Sequence, residues 1–372
     1  MQPKGVDAIK SNWVLTNANI LDGLCFRYEY DERNRMIIKK VPDADPVYMV
    51  YDARDRLVMM QDGKQRTLST PLWVEYIYDD LNRLRFTGFT FQHNGTSFAQ
   101  HIANAKNSTT YPYSLATRPT NQNVWAVLEE LYYDDYNNIP SGTNLTENLI
   151  TEHLAYIYTN YNTAPLYAQP VVKSTQTRGL VTWKRTLIYG TTSFVYHVYL
   201  YDDKGRLIQD KYKNYEGGID ITTTQYNWSG QPLMTVTRYD KNIVNTTQFI
   251  RSYVITDYSY DDLGRLVTTK KKIQHQNVNN NALPSEWTVI SNNQYDALGQ
   301  LKKKELGKKR AAPSYNTYTT EPLEHLNYSY NIRGWLLGVN RSLLAGNGGA
   351  MPAMSAAGNY FGFDLGYDKL TS

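Results

Sequence analysis

The sequence predicts an all-β protein built as an array of β-hairpins. Three observations carry that expectation. Of 372 residues, 33 are tyrosine and only nine are phenylalanine, and tyrosine favours strands over helices. One phrase, Tyr-Asp-x-x-Gly-Arg-Leu with variations, recurs nine times, and internal repeats mark array architectures. The hydrophobic fraction is 41% and the charged fraction 20%, so a packed core is within reach and global disorder is not expected.

The copies are YDERNRM from Tyr30, YDARDRL from Tyr51, YDDLNRL from Tyr78, a worn YDDYNNI from Tyr133, YDDKGRL from Tyr201, YNWSGQP from Tyr226, YDDLGRL from Tyr260, YDALGQL from Tyr295 and YNIRGWL from Tyr330. Each position has a physical reason. The second residue is Asp31, Asp52, Asp79, Asp134, Asp202, Asp261 or Asp296, with Asn227 and Asn331 in the remaining two. Asp and Asn suit the first position of a type I turn, where the side chain accepts from nearby backbone N–H groups. Three residues later stand Gly205, Gly230, Gly264, Gly299 and Gly334, and elsewhere Asn34, Asp55, Asn82 and Asn137. These are the residue types that tolerate positive φ. A type I turn followed by a left-handed residue is the three-residue hairpin loop with a G1 bulge.

The register follows from the turn. Asp should lie opposite the residue after the left-handed one, which is Arg in five copies, and Tyr opposite the aliphatic residue after that. One face then carries Asp–Arg pairs and the other Tyr–Leu pairs, each a stabilising cross-strand combination. A second tyrosine falls on the Tyr–Leu face at Tyr28, Tyr76, Tyr199, Tyr258 and Tyr328. This face is expected to pack as core. A lone hairpin is marginal in water, so the units must stack.

Successive copies start 21, 27, 55, 68, 25, 34, 35 and 35 residues apart. The array spans 25–340, with long insertions at about 92–123 and 140–170. The first insertion is polar and reads as a surface excursion or mobile loop. The second contains LTENLITEHLAYIYTN, compatible with one short helix from about Thr146, although Tyr and Ile also suit a strand. TRGLVTWKRTLIY from Thr177 alternates and reads as a strand. Residues 341–372 form a Gly/Ala-rich segment leading into a further, incomplete repeat. No clean domain boundary is visible.

The phrase resembles the YD-repeat of the Rhs family, over roughly residues 25–340. CFRYEYDERNRM, TQYNWSGQPL and NYSYNIRGWL look most like Rhs-type proteins of Bacteroidetes. The resemblance implies a curved, spiralling sheet forming part of a hollow shell. It further implies that the chain is a segment of a large exported or cell-surface protein, and that its partners are the rest of its own Rhs-like chain and an enclosed C-terminal toxin. The family's Asp-Pro-x-Gly core end has no counterpart here, and nothing like a toxin domain follows. A surface module that binds glycans or partner proteins is the alternative.

Neither an enzyme nor a cofactor is expected, and no catalytic, cofactor-binding or metal-ligating residue is assigned. The paired acids Asp79–Asp80, Asp134–Asp135, Asp202–Asp203 and Asp261–Asp262 recur at the turn, which accounts for them, and none has EF-hand spacing. Histidines His93, His101, His153, His197, His275 and His325 form neither HExxH nor a Cys/His cluster. Cys25 is expected to be a buried small hydrophobe. No phosphate loop or GxSxG elbow occurs. A net charge of +4, from 39 basic and 35 acidic residues, is too small to argue for nucleic acid. The runs Lys270–Lys272, Lys302–Lys304 and Lys308–Arg310 read as a solvated face. No stretch approaches the ~18 apolar residues of a membrane span, and no signal peptide is visible at the N-terminus. The expected sites are therefore structural: the repeat turns built on Tyr30, Tyr51, Tyr78, Tyr201, Tyr226, Tyr260, Tyr295 and Tyr330.

Overall fold

A computed structural model describes residues 18–91, 93, 95–108, 112–113, 125–243, 248–310, 319–343 and 360–367. The fold is all-β. Among the described residues it has 19 antiparallel strands and only 8% helix. The strands follow one another as a meander: β1 (Arg27–Tyr30), β2 (Met36–Lys40), β3 (Val47–Tyr51), β4 (Leu57–Gln61), β5 (Trp73–Tyr78), β6 (Leu84–Thr90), β7 (Trp125–Tyr133), β8 (Val181–Leu187) and β9 (Phe194–Tyr201). They continue as β10 (Leu207–Lys213), β11 (Ile219–Tyr226), β12 (Pro232–Asn242), β13 (Phe249–Tyr260), β14 (Leu266–His275), β15 (Thr288–Tyr295), β16 (Leu301–Leu306), β17 (Glu324–Tyr330), β18 (Leu336–Val339) and β19 (Phe363–Asp364). Three short α-helices are described: α1 (Ala18–Leu24), α2 (Gly63–Arg66) and α3 (Phe98–Ala105). The chain divides into two compact units, Met1–Pro140 with Arg178–His197, and Ser141–Thr177 with Val198–Ser372.

The turns explain the meander. Asn34, Asp55 and Asn82 take φ of 58°, 62° and 63°, and Gly205, Gly230, Gly264, Gly299 and Gly334 take 71° to 91°. Tyr30 pairs with Met36, Tyr51 with Leu57, Tyr78 with Leu84, Tyr226 with Pro232, Tyr260 with Leu266, Tyr295 with Leu301 and Tyr330 with Leu336. A register shift sits immediately before the tyrosine in every one of these pairs, so the second strand carries a bulge at the residue after the aliphatic one, beyond the turn itself. Alanine cannot occupy the left-handed region without strain. Gly205→Ala is expected to cost about 1–2 kcal/mol, read as a lower denaturant midpoint with an unchanged m-value. Glycine at Asn82 should be tolerated.

The fourth copy departs from this scheme. Asn137 is not its left-handed residue; Asp134 is, at φ 76°. Tyr133 pairs across the ladder with Val181, and the Asp134 N–H donates to the Leu180 carbonyl at 3.1 Å. The repeat has been opened at its turn, and the residues between Asp134 and Gly179 are inserted there. Its aliphatic half is supplied from far down the chain by Leu180 and Val181.

The deepest core lies on the face opposite the repeat tyrosines. On β9, Val198 and Leu200 are 1% and 0% exposed, whereas Tyr199 and Tyr201 are only half-buried. On β11, Ile221, Thr223 and Gln225 are buried, and Thr222, Thr224 and Tyr226 are half-buried. The tyrosine face is therefore not the core. Its phenols need access to polar partners, and the other face is the one that the insertions cover.

In the first unit that cover includes α3, so the described part of 92–123 is a packed helix rather than a free loop. Ser97 and Gln100 form a capping box, which nucleates the turn. His101 and Ala105 are buried, Phe98 stacks on Tyr48 at 4.3 Å, and Val50, Val58, Met59, Trp73, Ala105 and Tyr113 form one cluster. In the second unit, residues 141–177 lie on β10–β13. Their helical content is a single 3₁₀ turn, Glu152–Tyr156. On either side of it, the Ile150 and Tyr158 backbone is bonded to strand side chains. The Gly/Ala-rich stretch 345–358 lies outside the described residues, and Cys25 is half-buried rather than buried.

Candidate functional site

The repeat turn is a staple with four parts. Asp52 shows it fully. Its Oδ1 accepts from the backbone N–H groups of Arg54 and Arg56, both at 2.9 Å, and its Oδ2 accepts from Arg56 Nε at 2.7 Å. Asp31, Asp79, Asp202 and Asp261 repeat this with Arg35, Arg83, Arg206 and Arg265, at Nε–Oδ2 distances of 2.6–2.7 Å. Asp296 makes only the backbone bonds, to Leu298 and Gln300. Asn227 accepts from Gln231 N–H, and Asn331 from Arg333 and Trp335 N–H. Neither Asn copy has arginine after its left-handed residue, and Asp296, with Gln300 there, keeps its carboxylate on the turn N–H groups alone. The bonds to Arg35 and to backbone N–H groups hold Asp31 below the usual carboxylate range against the opposing effect of burial. The same contacts lower Asp261.

The third part reaches the next hairpin. In every copy with arginine, the guanidinium lies over the following repeat tyrosine: Arg35 over Tyr51 at 5.0 Å, Arg56 over Tyr78 at 4.7 Å, Arg83 over Tyr133 at 4.3 Å, Arg206 over Tyr226 at 4.8 Å and Arg265 over Tyr295 at 4.6 Å. The fourth part returns. Each of those phenols donates to the carbonyl of the aliphatic residue in the preceding copy: Tyr51 to Met36, Tyr78 to Leu57, Tyr133 to Leu84, Tyr226 to Leu207 and Tyr295 to Leu266, at 2.8–3.0 Å. Tyr260, Tyr330 and Tyr367 do the same to Pro232, Leu301 and Leu336 at 2.8–3.1 Å. That carbonyl sits in the bulge, where the ladder is interrupted. The bulge of one hairpin and the tyrosine of the next complete each other. Burial raises the phenol of Tyr78, with Arg56 opposing it, and pushes Tyr201 up to about 12, so these hydroxyls remain donors at neutral pH.

The fourth hairpin has Leu180 where arginine would stand. Arg83 from the third hairpin compensates, donating through both terminal nitrogens to Asp134 at 2.8 and 2.7 Å. Gly179 N–H adds a further bond to Asp134. Together these hold Asp134 down to about 2.

Tyr226→Phe removes one clamp and leaves the Leu207 carbonyl without its donor. A loss of about 1–2 kcal/mol is expected. Tyr189→Phe, at a ring that is 99% exposed, should change nothing. Equal midpoints for the two variants in urea would show that the clamp adds no stability.

The first tyrosine, Tyr30, is 56% exposed. Two coplanar ring pairs, Tyr48–Phe98 and Tyr132–Trp183, pack inside the first unit, and Arg85 already sits over Tyr132 at 4.7 Å. The second acids Asp80, Asp203 and Asp262 are exposed. No group of three or more His, Cys, Asp or Glu among the described residues could hold a metal ion, and no described helix is long and apolar enough to cross a membrane. Lys270–Lys272 and Lys302–Lys304 lie on β14 and β16, with β15 between them. They do not form one stripe, because Lys303 pairs with Glu305 at 2.8 Å and Lys272 lies over Trp287.

Sequence reasoning missed Gln209, Lys211, Gln225 and Arg238, all buried beneath the second insertion, and His153, buried within it. Glutamine at alternating inward positions of β10 and β11 was the available signal. His101 and His153 are fully buried.

No family model matches the chain, and no curated protein matches it. Among solved structures, the chain is similar to the crystal structure of TcdB2-TccC3-Cdc42 at 14% identity and a TM-score of 0.34, covering 90% of this chain and 14% of that one. It is also similar to that of TcdB2-TccC3, at 14% identity and a TM-score of 0.33, covering 90% of this chain and 15% of that one. The chain spans about one seventh of the length of the chains it resembles.

Proposed function

We propose that this chain is a non-catalytic structural segment of a large exported or cell-surface Rhs-like protein, contributing sheet to a shell that encloses a C-terminal toxin. The observation that carries this reading is the clamp. Five hairpins supply an arginine to the ring of the next, and eight receive a hydroxyl at their own bulge, so the unit is made to be joined to further copies of itself. The reading is supported by the repeat carboxylates, which are engaged by turn N–H groups and, in five copies, by the arginine of their own turn. Export and surface location rest on the resemblance of the repeat phrase.

The test is the coding sequence on both sides of codons 1–372. A frame that continues through further repeat phrases into an Rhs core and a distinct C-terminal domain is the expected result. Stop codons closely flanking this segment would overturn the shell reading. In that case the glycan-binding alternative moves ahead. It is favoured by Trp228 and Tyr215, whose side chains are 66% and 74% exposed, and it would require Trp228→Ala to abolish retention on a glycan array.

A further inference from the structure

The inward face of β10–β12 treats residues 142–169 as a strand partner, but it does so with side chains. Gln209 is 0% exposed. Its Oε1 accepts from Ile150 N–H at 2.9 Å and its Nε2 donates to the Ile150 carbonyl at 3.1 Å. Gln225, also 0% exposed, grips Tyr158 in the same way, accepting from its N–H at 2.9 Å and donating to its carbonyl at 2.8 Å. The same Nε2 reaches the Gln169 carbonyl at 3.0 Å. Lys211 donates to the Thr146 carbonyl at 2.8 Å and to that of Asn148, and Lys213 donates to the Gly142 carbonyl at 2.9 Å.

A side-chain amide that meets both the N–H and the C=O of one residue copies the bond pair of a β-ladder. Such contacts read main chain and are indifferent to side chains. The segment makes little regular structure of its own, one 3₁₀ turn and the isolated bridge Tyr161–Ala168, and it meets the sheet main chain only near its end, where Ala168 bridges to Asn227 and Gln169 N–H donates to the Tyr226 carbonyl. Its buried polar backbone depends on the face beneath it. Leu145 and Ile157, at 6% and 8% exposure, are its apolar anchors. The flanks at Ser141, Gly142, Thr175 and Gln176 are exposed.

We propose that the inward face of β10–β12 is a receptor for extended polypeptide, recognised through its main chain, and that residues 142–169 are its resident ligand, replaceable by the same segment supplied in trans. The proposal goes beyond the shell reading and does not depend on it.

The experiment uses the full chain with protease sites introduced at Ser141–Gly142 and Thr175–Gln176. After both cuts the segment is held by the face alone. It is expected to stay bound through size-exclusion chromatography and to exchange with a labelled synthetic peptide of residues 142–175. Peptides N-methylated at Ile150 or at Tyr158 lose one donor each and should bind roughly tenfold more weakly. Gln209→Met and Gln225→Met in the cut protein should speed release by a similar factor, with the fold of each variant checked by circular dichroism before cutting. The proposal is overturned if the segment departs while the sheet stays folded. It is overturned equally if cutting unfolds the second unit, which would make the segment core rather than ligand, or if the N-methylated peptides exchange as well as the parent.

Discussion

Asp52→Ala is expected to destabilise the first unit by about 3–5 kcal/mol, the cost of breaking a buried ion pair from one side. The Asp52 side chain is 3% exposed and its Arg56 partner 11%. Alanine leaves that guanidinium without its countercharge, with Asn82 Oδ1 still accepting from it at 2.9 Å, and it also removes the acceptor for the Arg54 and Arg56 N–H groups that shape the turn. The damage passes to the next hairpin, because the Arg56 guanidinium lies over Tyr78. For a unit of this size the melting temperature should fall by roughly 6–20 °C. Asp52→Asn keeps Oδ1 for the backbone and loses only the charge, so about 1–2 kcal/mol is expected. Thermal unfolding of both variants checks the ranking. Equal effects would mean that the charge dominates, and a loss below about 1 kcal/mol for alanine would remove the staple as a stabilising element.

The two Asn copies anticipate the milder substitution. Asn227 and Asn331 are followed by Gln231 and Trp335 instead of arginine, and both still accept the turn N–H bonds. The left-handed positions, apart from that of the fourth copy, and the Tyr–Leu register were legible in the sequence, because turn chemistry is local. The choice of inward face was not legible. On β11 the alternation sets Ile221, Thr223 and Gln225 against Thr222, Thr224 and Tyr226, and hydrophobicity does not separate the two sets. What decides is the covering segment, which needs Gln225 for its backbone and Thr223 for the His153 ring rather than a phenol. Gly179 could not be matched to Asp134 by reading the chain in order, since the insertion lies between them and only the ladder joins them. The helix at Phe98 was readable from Ser97 and Gln100, but the Asn- and Thr-rich surroundings masked a capping box two residues beyond Gly95.

Acidification should unfold the protein in a window that belongs to histidine. His101 Nδ1 lies 2.7 Å from the Tyr113 hydroxyl, with the Trp73 ring at 4.7 Å and His93 at 5.4 Å. Burial, with His93 adding to it, lowers His101 to about 4. His153 Nδ1 lies 2.8 Å from Thr223 Oγ1. Burial lowers it to about 4 as well, against the pull of Glu152 and with the help of Arg238 and Arg251. Both folded values lie below the unfolded 6.5, so the unfolded chain binds more protons between pH 6.5 and 4. Stability is then full above pH 6.5 and falls as pH drops through that range. Each shift corresponds to roughly 3 kcal/mol, one histidine in each compact unit. The turn carboxylates act elsewhere. Asp31, Asp134 and Asp261 have lowered values, so their contribution persists until pH falls below about 3.8. Urea unfolding at pH 7.0, 5.5 and 4.5 separates the two groups. A decline already present at pH 5.5 assigns the acid limb to the buried imidazoles, and the His101 and His153 ring resonances should show no titration near pH 6.5. Flat stability down to pH 4.5, or imidazoles titrating at their ordinary value, would place both rings in contact with water and return acid sensitivity to the turns.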